Sequence, residues 1–211
     1  MKEFYRRNLP HLTPLGGTFF VTYCLADALP KPVLKKTLEQ FAAEVQELKK
    51  KPKFTPAMLH DLHKRQFVRY DKLLARSYGE QYLKRPKIAE IVKGSLHYFD
   101  GSRIELISYC IMSNHVHLML RLYEKDELGK PVFLSKIMHS IKSFSANEIN
   151  KQLGRTGTLW LVESYNHYVR NPRSWRRIVN YILDNPVKAG LVEDRKDWKW
   201  SYIKEEYNDF M

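Results

Sequence analysis

The feature that most constrains the fold is a pair of apolar segments, 104–112 and 115–123, separated only by Ser113-Asn114. This spacing predicts a β-hairpin with a tight turn. Side chains alternate between the faces of a strand, so His115 and His117 share one face and Val116 lies on the other. Two imidazoles on one face are half of a site for a divalent metal. The motif alone fits equally well a strand whose histidines are only hydrogen-bonded.

The other segments give the fold class. Hydrophobic periodicity predicts one further strand and four helices before the last quarter of the chain. They are a strand over 18–25 and helices over 33–50, 56–75, 87–98 and 134–153. This order predicts an α+β fold, an antiparallel sheet covered by helices. We expect a single domain over 1–211, with a helical insertion at about 50–85 and a C-terminal tail from about 190.

The net charge is a statement about partners. The 211 residues carry a formal charge of +13 at neutral pH. A polyanion such as nucleic acid is the natural partner, and an acidic membrane surface is the alternative. Aromatic residues are interleaved with the basic ones, and no basic amphipathic anchor stands out. We therefore favour nucleic acid.

The sequence also bears on location. It contains no apolar run long enough to cross a bilayer, and the N-terminus lacks the apolar segment of a signal peptide. Cys24 and Cys110 each lie in an apolar, strand-like run, which predicts buried thiols rather than a disulfide. These features lead us to expect a cytoplasmic protein.

A late amphipathic helix carries the second group of candidate residues. Asn171 is a good N-cap, Pro172 suits a first turn, and Asn185-Pro186 predicts the end of the helix. At about 100° per residue, Arg177, Tyr181 and Asn185 line one edge of this helix, beside its apolar stripe. A tyrosine at such a border is usually structural, with its ring half buried and its hydroxyl in water.

A catalytic interpretation of the same residues is chemically coherent. An amide oxygen of Asn185 could be a third metal ligand beside the two imidazoles, with the Tyr181 hydroxyl one turn away. A phenol has a pKa of about 10, so it needs assistance to attack. A divalent cation on a phosphate oxygen makes phosphorus more electrophilic, and the product of attack is a covalent phosphotyrosine. A plain nuclease would need only an activated water.

Three blocks of sequence resemble the single-tyrosine transposases of the IS200/IS605 type, and more narrowly the REP-associated tyrosine transposases. Weaker similarity extends over most of the chain. The blocks are Met112-Ser113-Asn114-His115-Val116-His117, Ile141-Lys142-Ser143-Phe144, and the segment 181–191 followed by Asp197-Trp198-Lys199-Trp200-Ser201.

The resemblance implies a ferredoxin-like (RRM-like) core of HUH endonuclease architecture. It implies a metal, Mg²⁺ or Mn²⁺, held by His115 and His117 with Asn185 as third ligand, and Tyr181 as nucleophile. Members cut and rejoin single-stranded DNA through a 5′-phosphotyrosine and a free 3′-hydroxyl, on palindromes that fold as hairpins. We expect a monomer, with a dimer as the alternative.

The chain departs from the family pattern in two places. Ser113 stands where the family usually has proline, which mainly affects the turn. Segment 161–165 replaces a more polar run, so no catalytic role is carried onto it.

Basic residues near these motifs are candidates for DNA phosphate contacts. Each of them, taken singly, also fits a solvated surface charge. They are Arg6, Arg7, Lys142, Arg176 and Arg177.

Two other functions remain open at this point. One is a catalytically inactive, basic nucleic-acid-binding protein with structural histidines. The other is a metal-dependent hydrolase that uses water while Tyr181 only packs.

Overall fold

The computed structural model describes residues 14–210, together with the backbone of two short strands at 4–6 and 10–12. Seven strands and five α-helices are present in the described residues, with short 3₁₀ turns between some of them. The strands are β1 Phe4–Arg6, β2 Pro10–Leu12, β3 Thr18–Cys24, β4 Ile104–Ile111, β5 His115–Leu122, β6 Tyr165–Val169 and β7 Ser201–Ile203. The helices are α1 Lys31–Lys49, α2 Pro56–Leu74, α3 Pro86–His97, α4 Leu134–Gln152 and α5 Pro172–Lys188.

Five strands form one antiparallel sheet in the order β6-β3-β5-β4-β7, and β1 pairs with β2 separately. The central strand β5 follows β4 through the predicted turn, in which the Met112 amide donates to the His115 carbonyl at 2.9 Å. The predicted α+β class, an antiparallel sheet covered by helices, is confirmed. β7 lies within the segment predicted as a C-terminal tail, and the predicted domain limits stay a prediction.

Both faces of the sheet are buried. Alternate residues of β5, including Val116 and Leu118, pack with α3 and α4 in the larger core, as their apolar character predicts. The opposite face packs with the apolar stripe of α5, where Val179 and Ile182 are fully buried. The histidines of β5 lie on this second face, so α5 brings the late motif directly over them.

Helix α5 continues past the predicted end at Asn185-Pro186. Pro186 lies inside its last turn, where a missing amide removes only one hydrogen bond. The helix ends instead in a Schellman motif: the Leu191 amide donates to the Pro186 carbonyl, and that of Gly190 to Val187. Gly190 has φ +66°, a conformation that glycine adopts without strain. The glycine rather than the proline is the stop signal.

The two cysteines are free and buried, as predicted. No helix in the described part of the chain has the length and apolar character needed to cross a bilayer.

Candidate active site

The two imidazoles of β5 converge on one point beneath helix α5. His115 lies opposite Cys24 and His117 opposite Thr22 in the pairing with β3. Both side chains are almost fully buried, at 3% and 0% exposure. Their Nε2 atoms are 3.1 Å apart, so the predicted shared face of the two histidines is present.

Hydrogen bonds on the far side of each ring orient these nitrogens. Asn114 Oδ1 lies 2.7 Å from His115 Nδ1, while Asn114 Nδ2 donates to the carbonyls of Leu74 and Tyr78. Those two carbonyls fix which end of the amide faces His115, so Nδ1 of His115 must be the donor. His117 Nδ1 lies 2.8 Å from Thr22 Oγ1, which can accept in the same way. When His117, like His115, donates Nδ1–H outward, both Nε2 lone pairs face the site.

Burial keeps the two rings neutral. It lowers the pKa of both His115 and His117 to about 3, with Asn185 opposing the shift at His117. A neutral imidazole is the form that binds a metal. At neutral pH the two imidazoles can therefore bind a metal without first losing a proton.

Asp71 of helix α2 adds a carboxylate to the pair. Its Oδ1 lies 3.5 Å from His117 Nε2, and ligand atoms of Asp71, His115 and His117 all lie within 4.8 Å of one another. Sequence reasoning missed Asp71. The available signal was its place one turn after Phe67 and three residues before Leu74, on the apolar side of an amphipathic helix.

These three side chains fit a divalent cation. Two nitrogens bound about 2.1 Å from one ion at adjacent positions lie roughly 3.0–3.4 Å apart, which agrees with the spacing of the Nε2 atoms. Two neutral imidazoles and a carboxylate are donors typical of transition-metal and mixed nitrogen–oxygen sites. The donor set does not select among divalent metals.

The ring of Tyr181 stands directly over this cluster. Its centroid is 5.2 Å from that of His117, with Phe20 at 5.8 Å and Phe67 at 5.7 Å. The hydroxyl is buried and makes no hydrogen bond within the described residues. Burial first, and then the Asp71 carboxylate, raise the pKa of Tyr181 well above its usual value.

Asn185 is buried one turn further along α5. Its Nδ2 donates to the Tyr181 carbonyl at 2.8 Å, and its amide raises the pKa of His117 and lowers that of Tyr181. The predicted third ligand is therefore adjacent to both the imidazole pair and the phenol. Its metal ligation stays a prediction.

The residues predicted to contact DNA do not form one cluster in the described part of the chain. Arg7 and the side chain of Arg6 lie outside the described residues. Lys142 donates to the carbonyls of Leu161 and Val162 at 2.6 and 3.0 Å, which fastens that loop to α4. Arg176 and Arg177 are both exposed on α5.

Three basic residues lie near a pair of stacked histidines at the β6 edge of the sheet. Burial lowers the pKa of His60 and of His167, whose rings stack at 5.4 Å, and Lys64, Arg170 and Arg177 lower both further. Together these causes bring the pKa of His167 to about 4. These basic residues lie beside the β6 edge of the sheet, next to the tyrosine helix.

Comparisons with known proteins agree with this geometry. The family model described as "Transposase IS200 like" matches residues 68–185, more than half of the chain. That range includes Asp71, both site histidines, Tyr181 and Asn185.

Two curated relatives match over about half of this chain. A Haemophilus influenzae protein, provisionally named a REP-associated tyrosine transposase, is 30% identical over 104 residues, 46% of this chain and 57% of its own length. The Escherichia coli REP-associated tyrosine transposase is 28% identical over 102 residues, 46% of this chain and 53% of its own length. The chain thus spans somewhat more than half the length of these relatives.

A solved structure, described as a REP-associated tyrosine transposase bound to a REP hairpin, has the same fold. The TM-score is 0.52 at 19% identity, over 95% of this chain and 82% of the other. The resemblance inferred from the sequence motifs is confirmed. The chain belongs to the IS200-like transposase family, a family of DNA-processing enzymes.

Proposed function

We propose that this protein cuts and rejoins single-stranded DNA at hairpin-forming, REP-like palindromes, with Tyr181 as the nucleophile. The observation that carries the proposal is the buried Tyr181 hydroxyl beside Asp71 and Asn185, with its ring 5.2 Å from that of His117. A phenol that only packed would have no need of an imidazole pair oriented by buried hydrogen bonds beneath it.

The reaction is a transesterification at phosphorus. The Tyr181 oxygen forms a bond to the scissile phosphate, the bond from phosphorus to the 3′ oxygen breaks, and the phenolic proton is finally carried by the released 3′-hydroxyl. The product is a 5′-phosphotyrosine, and attack by a 3′-hydroxyl reverses the step. Burial raises the pKa of Tyr181 further above neutral pH, so the phenol is protonated in the free protein.

The side chains below Tyr181 would hold the divalent cation that this reaction needs. His115 and His117, with Asn185 as the predicted third ligand, would bind Mg²⁺ or Mn²⁺. The ion would supply a positive charge that polarises the scissile phosphate and offsets the negative charge of the transition state. Asn114 fixes His115 in the tautomer that binds a cation, and Thr22 Oγ1 can accept from His117 Nδ1–H in the corresponding tautomer of His117.

The DNA partner follows from charge and from the relatives. A net charge of +13 favours a polyanion, and Arg177 with Arg170 and Lys64 borders the site where a phosphate backbone would lie. The solved structure with the same fold is described with a REP hairpin bound, which supports hairpin DNA as the partner. We keep the monomer as the expected state.

One gel tests the proposal. Labelled hairpin DNA with Mn²⁺ or Mg²⁺ is run under denaturing conditions with and without protease. We expect a slowly migrating band of DNA bound to protein, which migrates faster after protease treatment. The band should be lost in Tyr181→Phe and retained in the control Tyr98→Phe, since Tyr98 is an exposed residue at the C-cap of α3.

The other outcomes identify the competing functions. Cleaved DNA without attached protein would support a hydrolase that uses water. Binding without cleavage in either metal would support an inactive binding protein.

A further inference from the structure

Helices α1 and α2 form a hairpin, the α1–α2 hairpin, with a small core of its own. Phe41 and Leu48 of α1 pack against Leu62 of α2, separately from the two cores of the sheet. An ion pair between Arg69 and Glu44 also joins the two helices. The hairpin therefore has internal contacts that do not depend on the sheet.

The last two turns of α2 attach this hairpin to the candidate site. Phe67 stacks on Tyr165 with ring centroids 4.3 Å apart, and the Tyr70 hydroxyl lies 3.2 Å from Cys24 Sγ. Leu74 is fully buried, and its carbonyl accepts a hydrogen bond from Asn114, the residue that orients His115. Asp71 lies between these contacts and faces the imidazole pair.

The Asp71 carboxylate has no lysine or arginine within ion-pair distance among the described residues, although the chain contains 36 of them. Its side chain is only 22% exposed. A partly buried carboxylate is expected to have a positive partner. The Nε2 atoms of His115 and His117 are 3.1 Å apart, and ligand atoms of Asp71 and both imidazoles all lie within 4.8 Å of one another.

We propose that Asp71 is a ligand of the divalent cation in the site described above, so that a bound ion joins the α1–α2 hairpin to strand β5. This inference rests on the metal site of the proposed function and adds a ligand from a separate helical element. The same helix end lies over the candidate nucleophile, because the Phe67 ring is 5.7 Å from that of Tyr181. A bound ion would therefore also fix the position of this helix end beside the tyrosine.

The test measures ion binding and hairpin protection in the full chain without DNA. Mn²⁺ affinity is determined by calorimetry, and hydrogen exchange of the α2 amides is followed with and without Mn²⁺. The variants are Asp71→Asn, Asp71→Ala and His117→Ala. The matched control is Asp61→Asn, an exposed carboxylate on the same helix that pairs with Lys64.

We expect both Asp71 variants to bind Mn²⁺ at least about tenfold more weakly, by comparison with the 10–100-fold effect of losing an outer-shell partner. Asp61→Asn is expected to bind as the wild type does. Mn²⁺ is expected to slow exchange at 67–74 in the wild type and in Asp61→Asn, and to leave it unchanged in both Asp71 variants.

The result separates this inference from the proposed function. Unchanged Mn²⁺ affinity in both Asp71 variants, with loss in His117→Ala, would overturn the role of Asp71 and leave the histidine site intact. If Mn²⁺ slowed hydrogen exchange at 67–74 in the Asp71 variants as it does in the wild type, the role of Asp71 would likewise be overturned. If the wild type bound no Mn²⁺, the metal site itself would be refuted together with the inference.

Discussion

Replacing Thr22 by valine removes a single hydroxyl behind His117 and nearly preserves the shape of the side chain. Thr22 is fully buried, and its Oγ1 lies 2.8 Å from His117 Nδ1. In the variant, Nδ1–H would be a buried donor without a partner, which costs about 1–3 kcal/mol of stability. The ring can avoid this by moving its proton to Nε2. That proton would then point to His115 Nε2, 3.1 Å away, and occupy the position of the cation.

The variant should therefore lose metal affinity. Loss of such an outer-shell hydrogen bond typically weakens binding about 10–100-fold, which corresponds to roughly 1.4–2.7 kcal/mol. Calorimetric titration with Mn²⁺ measures the affinity, and ¹⁵N NMR of the imidazoles reports the tautomer. Thr37→Val is the matched control, because the Thr37 hydroxyl donates to a carbonyl within α1. An affinity for Thr22→Val within about twofold of the control would refute this account of how the imidazoles are oriented.

Three further predictions follow from single features of the structure. Burial lowers the pKa of the two site histidines to about 3. Their pKa in the unfolded chain is about 6.5, so the unfolded chain binds protons more tightly than the folded one. As the pH falls from about 6.5 towards about 3, the free energy of unfolding of the metal-free protein decreases by up to about 1.4 kcal/mol per pH unit for each histidine. Urea midpoints at about pH 7 and about pH 5 measure the loss, and equal midpoints would contradict it. Gly190→Ala should destabilise the protein by about 1 kcal/mol because φ at Gly190 is +66°. Gly94→Ala, inside α3 with open space around it, should stabilise the protein by about 0.5–1 kcal/mol. Thermal unfolding measures both changes, and changes of the same sign would contradict the prediction. Arg177→Gln should reduce the slope of log binding constant against log salt concentration for single-stranded DNA by about 0.7. Lys87→Gln, a control at an exposed residue of α3 on the other side of the sheet, should leave this slope unchanged. Equal slopes for the two variants would show that Arg177 does not contact DNA phosphates.

The parts of the site that depend on local periodicity could be predicted from the sequence. Alternation in β5 places His115 and His117 on one face, and helical spacing in α5 places Tyr181 and Asn185 on one edge. Neither pattern needs knowledge of distant residues. What joins the two halves is the packing of α5 on the sheet, which follows from the apolar stripe of that helix.

The remainder depends on tertiary contacts that no local pattern encodes. Asp71 reaches the imidazoles only because α2 docks on the sheet, 44 residues before His115 in the chain. β7 is three residues long, and its pairing with β4 gives it a place in the sheet. The predicted end of α5 was wrong because the preference of the residue before proline is weaker than the packing and the Schellman stop at Gly190.

Covalent attachment of Tyr181 to DNA is the step on which the proposed function depends. Mass spectrometry of a trypsin digest, after reaction with hairpin DNA and a divalent metal, tests it most directly, because cleavage after Arg177 and Lys188 releases a peptide in which Tyr181 is the only tyrosine. We expect this peptide to carry a 5′-phosphorylated DNA fragment through the phenol oxygen. DNA cut with a free 5′ end, or an adduct on any other residue, would contradict it.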